Sequence, residues 1–239
     1  MKQTWIIACQ ELRSQFNSIM AYILLLLFLA FCGVFTWING NDIFIYGQAS
    51  LQIFFSAAYT ILFFLIPALT MRTIAEETRT GTLEMLLTKP ISCWQIIVGK
   101  YIATIMLIAI ALTLTFPYYI SVACLGNIDH GATICGYLGL LLVSSAYASI
   151  GILASSLTNN QIVSFLVSLT ISLPFYLFFG MIESRTNGLI GRLALGLNMN
   201  PHFESIARGV IDSKDIIYFA SLSFIALFLA EKSLKSKIA

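Results

Sequence analysis

Five stretches of this chain contain no Asp, Glu, Lys or Arg: Ser14–Asn41, Ile43–Met71, Tyr101–Ile128, His130–Ile182 and the shorter Ile216–Ala230. A helix that crosses the hydrocarbon core of a bilayer needs about 20 predominantly apolar residues. The first three runs each fit one such helix. The fourth fits two, divided at the polar segment Ser155–Gln161. The last fits one short helix, helped by Lys232 and Lys235 reaching back to the interface. The expected fold is all-α: a polytopic membrane protein with one domain over residues 1–239 and six spans at about 18–37, 51–71, 96–122, 133–154, 162–182 and 215–230.

Composition supports this reading. The chain is 59% hydrophobic and 10% charged, where a soluble domain carries about a quarter charged residues. Barrel strands would alternate over about 10 residues between turns, and these runs do not. Backbone groups in lipid must be satisfied within the segment, so the spans must be helical. The apolar run Ile19–Phe35 starts too late, is too long and lacks a small-x-small cleavage site, so it reads as the first span and not as a signal peptide.

The placement of charge orients the spans. With the N-terminus inside, the inner segments hold Lys2, Arg13, Arg72, Arg79, Lys89, Lys100, Lys232, Lys235 and Lys237, while the outer loops near Asn39–Gly47 and Gly126–Gly131 hold no Lys or Arg. The positive-inside rule then puts both termini in the cytoplasm. The segment 183–214 departs from the rule, carrying Arg185, Arg192, Arg208 and Lys214 with Glu183, Glu204 and Asp212. Long loops translocate with little regard to charge, so it is expected to fold against the outer surface and not to add a seventh span. Glu204, Arg208 and Asp212 alternate there with Ile206, Gly209 and Val210, the pattern of a short amphipathic helix that Pro201 is placed to start, with Gly188, Gly191 and Gly196 loosening the chain before it.

Trp5, Cys9, Leu12 and Phe16 recur at helical spacing among polar residues, which predicts an amphipathic interfacial helix over 3–16. Gly136, Gly139, Ser144, Ala148, Ser149 and Gly151 make the fourth span a close-packing surface. Pro67, Pro117 and Pro174 mark bending points in three other spans. The five cysteines form no Cys-x-x-Cys pair, so metal or redox chemistry has no support. Cys124 and Cys135 are near enough in topology for a disulfide.

The most polar inner segment is Met71–Pro90, which holds three acidic and three basic residues. Gly81 breaks its first helix, Thr80 or Thr82 can cap the next, and Glu84 in the first turn suits the helix dipole. Leu83, Leu86 and Leu87 form an i, i+3, i+4 stripe, and Pro90 ends it. A helix of about two turns is not stable alone in water. It needs a surface to lie on: a soluble partner, the membrane, or its own loop.

The run Glu76-Glu-Thr-Arg-Thr-Gly-Thr-Leu-Glu-Met-Leu-Leu-Thr-Lys-Pro90, followed by Gln95-Ile-Ile-Val-Gly-Lys100, resembles the signature of type-2 ABC transporter permeases. The resemblance covers the whole chain and implies that 81–90 is the coupling helix between spans two and three. It implies Glu76, Glu77 and Arg79 at the base of span two, Gly81, Thr82, Leu83, Glu84 and Leu87 facing an ATPase, Pro90 closing that helix, and Gly99 and Lys100 starting span three. More narrowly, Ala49–Phe55, Ile66–Arg72, Ser156–Val163 and Phe203–Asp212 resemble the gliding-motility-associated permease subunit of Bacteroidetes, a pattern shared in large part by nitrous-oxide-reductase maturation permeases. The implied partners are an ABC ATPase subunit binding ATP and Mg, a second permease copy or homologue, an accessory membrane subunit with a periplasmic domain, and the lipid of a bacterial inner membrane; nucleic acid is not among them.

The chain lacks Gly-x-x-x-x-Gly-Lys-[Ser/Thr], since Gly99-Lys100 is followed by Tyr101, so ATP hydrolysis requires another chain. The spans offer no titratable or metal-binding group of the kind an intramembrane enzyme uses. Asp42, Asp129, His130 and His202 fall in outer loops. No catalytic, cofactor or metal site is expected in this chain. The function implied is export or extrusion coupled to a partner's ATP hydrolysis and linked to gliding motility. The alternative is mechanical work or extraction of a lipid or lipoprotein, and an intramembrane enzyme is the remote third.

Overall fold

The computed structural model describes residues 2–37, 50–82, 91–126, 128–186 and 188–237. Among these there is no strand, and six helical segments are long and apolar enough to cross a membrane. An N-terminal helix, Lys2–Asn17, meets span one, Ile19–Trp37, at a bend where the Ser18 hydroxyl accepts from Met20 N–H. Span two begins as Gln52–Thr70, turns, and continues as a short elbow helix, Ala75–Thr80.

Span three is Cys93–Thr113 and Phe116–Leu125, interrupted at Leu114–Thr115 just before Pro117. Span four is one helix, His130–Leu157. Span five is Gln161–Leu173, a π turn Pro174–Phe178, and Phe179–Arg185. Two short helices, Leu189–Leu197 and Met199–Ala207, precede span six, Ser213–Ser236.

The spans begin where polar side chains satisfy the first free N–H groups. Ser92 and Gln95 form a capping box for span three, and Asp129, Asn160 and Asp212 cap spans four, five and six. Ser92, Asp129 and Asp212 lie outside the charge-free runs, and Asn160 lies in the polar segment that divides the fourth, which is why the helices exceed the sequence-based bounds at several ends.

Span four is the axis. Within its apolar stretch 78% of residues are buried, against 17% for span five, and it contacts spans two, three, five and six and the Met199–Ala207 helix. Its small residues permit this approach. A Cβ at Gly151 would coincide with the Thr70 side chain of span two. Span five contacts spans four and two, and its Ser164, Ser168 and Ser172 are buried.

Ile74 and Ala75 N–H donate to the Ser155 hydroxyl at 3.0 and 2.9 Å, and Ser155 donates to Met71 O at 3.2 Å. Ser233 bonds Ser156 O and Lys237 bonds Asn159. The N-terminal helix, the elbow and the end of span six thus share one end of the bundle.

Several expectations are corrected. Of the expected stripe on the N-terminal helix, Leu12 and Phe16 pack against the core and Cys9 is half-buried, but Trp5 is exposed, and the side chains that meet span three at Gly99 are Thr4 and Ile7. Gly191 and Gly196 lie inside a helix. The next helix starts at Met199, capped by Asn198, two residues before Pro201, and ends at Ala207, so Gly209, Val210 and Asp212 are outside it. All five cysteines are free thiols.

Candidate functional site

Three elements from distant parts of the chain meet at the end that carries the N-terminal helix. Glu11 lies on the inward face of that helix, between Ala8 and Leu12. Glu77 stands on the elbow helix, which exists because the turn after Thr70 is closed by Ser155 of span four. Lys100 sits in the first turns of span three. Its Nζ donates to Glu77 Oε1 at 2.6 Å and to Glu11 Oε2 at 3.1 Å.

Lys100 is 1% exposed, the carboxylates 19% and 28%. A buried ammonium is tolerated only when its charge is matched and its donors are used, and here two carboxylates do both. The N-terminal helix can lie so close because of Gly99: a Cβ there would meet Ile7 at 2.8 Å and Thr4 O at 3.2 Å.

From this root the chain runs outward. Thr80 bonds Glu76 O at 2.9 Å, and the Thr80 and Thr82 hydroxyls are 3.0 Å apart. Gly81 closes the elbow helix at φ +72°, a conformation favouring glycine. Arg79, Thr80, Gly81 and Thr82 are all exposed. The site is therefore a solvent-facing turn fixed at its base to a buried ion triad.

The residues singled out by sequence fall into three groups. Glu77 and Lys100 are joined in the triad. Arg79, Gly81 and Thr82 are on the surface, with Glu76 half-buried beside them. Leu83, Glu84, Leu87 and Pro90 lie outside the described residues. Gly99 and Lys100 lie in the first turns of span three, buried beside the N-terminal helix. Sequence reasoning missed Glu11 and Ser155. The signal for Glu11 was a carboxylate sharing one helical stripe with Ala8 and Leu12.

At the opposite end, Glu204 and Arg208 form an exposed pair at 4.0 Å. Asp212 caps span six and pairs with Lys214 at 3.0 Å, and that hydrogen bond holds its carboxyl below the usual range. His202, expected to be a loop residue, is instead enclosed. Its Nδ1 lies 2.6 Å from Oδ1 of the fully buried Asp215, and its ring stacks on Tyr218 at 4.3 Å. Asp215 thus places a buried titratable group at the head of span six.

Beside it, four rings form a column. Phe63 and Tyr59 of span two flank Tyr176 at 4.5 and 5.4 Å, and Tyr59 stacks on Phe203 at 4.9 Å. Tyr176 reaches this position from the π turn of span five.

The sequence model of the family described as ABC-2 family transporter protein matches residues 5–207 of this chain. No curated protein matches it.

Proposed function

The chain belongs to the ABC-2 transporter family, and on that premise we propose that it is the membrane subunit driven by a separate ATP-hydrolysing chain through the segment 76–90. The observation that carries this is the turn Arg79–Thr82, exposed to water yet anchored through Glu77 to Lys100 of span three and Glu11 of the N-terminal helix. A push on such a turn moves three elements together. Load applied by a partner on ATP binding is thereby passed to spans two and three as one body, and spans so joined switch between discrete packings.

The end that carries both termini faces the cytoplasm in this reading, as the Lys and Arg distribution requires. The ATP and its Mg are held by the partner. Span four fills the centre of one copy, so a passage for cargo lies between two copies, with the exposed face of span five available for that pairing. The same closed centre favours, as a second reading, work on a lipid or lipoprotein drawn from the bilayer. The narrower assignment to gliding motility rests on the sequence resemblance at Ala49–Phe55, Ile66–Arg72, Ser156–Val163 and Phe203–Asp212, as does the expected accessory subunit with a periplasmic domain.

The test is co-purification from the native membrane. The unaltered chain is expected to bring down a subunit containing Gly-x-x-x-x-Gly-Lys-[Ser/Thr] together with ATPase activity. The double variant Glu84→Arg, Leu87→Asp is expected to lose it while remaining inserted. Absence of an ATPase from the unaltered chain would end this reading.

A further inference from the structure

A cleft of about 390 Å³ opens beside the ion triad, between the N-terminal helix, the start of span one and the base of span two. Its two walls differ. One is polar, with Gln15, Arg72, Glu76 and Glu77; the other is apolar, with Leu24 and Leu69. Those two leucines also line a shallow groove between spans one and two, floored by Phe28, Leu62 and Leu65. The polar cleft and the apolar groove therefore meet at these leucines, running from the base of span two along the faces of spans one and two.

The charges on the polar wall are incompletely used. Arg72 and Glu76 are four residues apart in the chain and opposite in sign, a spacing at which such residues can pair on a helix, yet no ion pair forms between them. Among the described residues neither has a salt-bridge partner. Gln15 Oε1, Arg72 Nε and Glu77 Oε2 are buried and have no hydrogen-bond partner among the described residues. Buried polar atoms normally find partners, and orphans call for an explanation. These three atoms lie just behind the wall of one cleft, and at its surface the half-buried Arg72 and Glu76 offer a cation and an anion, the complement of a ligand that carries both an anion and an ammonium.

We propose that this cleft binds the head group of one zwitterionic phospholipid of the phosphoethanolamine class. Its phosphate faces Arg72, whose planar fork suits phosphate oxygens. Its ammonium faces Glu76, and one acyl chain lies in the groove along Leu24, Leu65 and Leu69. A purely anionic lipid satisfies Arg72 but brings its charge against Glu76 and Glu77. A soluble phosphate ester leaves the groove unfilled. The site does not depend on the ATPase reading, because lipid retention is measured on the isolated chain.

The experiment is native mass spectrometry of the full chain released from nanodiscs containing equal amounts of phosphatidylethanolamine and phosphatidylglycerol. One phosphatidylethanolamine per chain is expected to survive, enriched at least about tenfold over phosphatidylglycerol, the factor that about 1.4 kcal/mol of preference gives. Arg72→Gln is expected to lose the adduct. Glu76→Gln is expected to keep a lipid but lose the preference. Ala68→Trp, which fills the cleft without altering a charge, is expected to lose the adduct as well and serves if Arg72→Gln does not fold. Glycerophosphoethanolamine at millimolar concentration is expected not to displace the lipid, since it has no chain for the groove.

Four results would overturn the proposal: no retained lipid, retention without head-group preference, retention unchanged in both Arg72→Gln and Ala68→Trp, or a Leu65→Cys variant that cross-links to a second copy in place of lipid.

Discussion

The two ends of the bundle are fastened by different chemistry. At the end with the N-terminal helix, one ammonium buried between two carboxylates joins three elements. At the other, a column of stacked rings and one imidazole–carboxylate contact hold spans two, five and six to the Met199–Ala207 helix. The charged joint is short, directional and severed by losing a single atom group. The aromatic joint is spread over several faces, each worth about 0.5–1.5 kcal/mol beyond its buried area, and can slide without breaking. A chain built this way can transmit displacement at one end and absorb it at the other.

The sharpest way to break this contrast is Lys100→Met. It leaves Glu11 and Glu77 facing one another without a cation, and removing one partner of a buried pair costs about 3–5 kcal/mol. Unfolding in detergent should show a loss of that size, with protease cutting first in the N-terminal helix. Adding Glu11→Gln and Glu77→Gln should recover most of it, because an uncharged site carries no unpaired charge. A loss below about 1 kcal/mol would remove the triad from its role.

Tyr176→Ala should cost less, about 2 kcal/mol, since two stacking partners are lost while the remaining rings repack. Hydrogen exchange should rise in Met199–Ala207 and stay unchanged in Lys2–Asn17; a rise at both ends would mean the joints are not separate.

His202→Leu should cost about 1–3 kcal/mol by leaving the buried Asp215 without a donor. The double change with Asp215→Leu should be milder than His202→Leu alone. If the double change is the worse of the two, the contact between them is not what matters there.

Glu204→Ala sets the floor. The pair with Arg208 is exposed at both ends and 4.0 Å long, so the unfolding free energy in detergent should fall by less than about 0.5 kcal/mol.

How much of this was legible in the sequence follows from range. The six apolar segments were plain because lipid imposes a local rule on each run. The ends were less so: Ser92, Asp129, Asn160 and Asp212 extend helices beyond the apolar windows through hydrogen bonds that composition does not weigh. Glu77 and Lys100 stood out by resemblance, but their third partner did not, because Glu11 is 89 residues from Lys100. His202 read as a loop residue for the same reason: what encloses it is Asp215 and Tyr218 of a later span. The N-terminal helix shows the limit of periodicity: Leu12 and Phe16 of its apolar stripe do pack inward, but Trp5 does not, and the contact with Gly99 is made by Thr4 and Ile7.

The hydroxyl of Ser155 has a consequence in time. It accepts both N–H groups that free the elbow from span two, and it lies 81 residues after Ile74. At about 5–20 residues per second, the ribosome reaches it roughly 4–16 s after the elbow itself has been made. Span three, Cys93–Leu125, is made within that interval, and until Ser155 follows it the elbow lacks its fastening. The shape of the elbow is thus decided only after span four has been made, by a residue 80 positions beyond it.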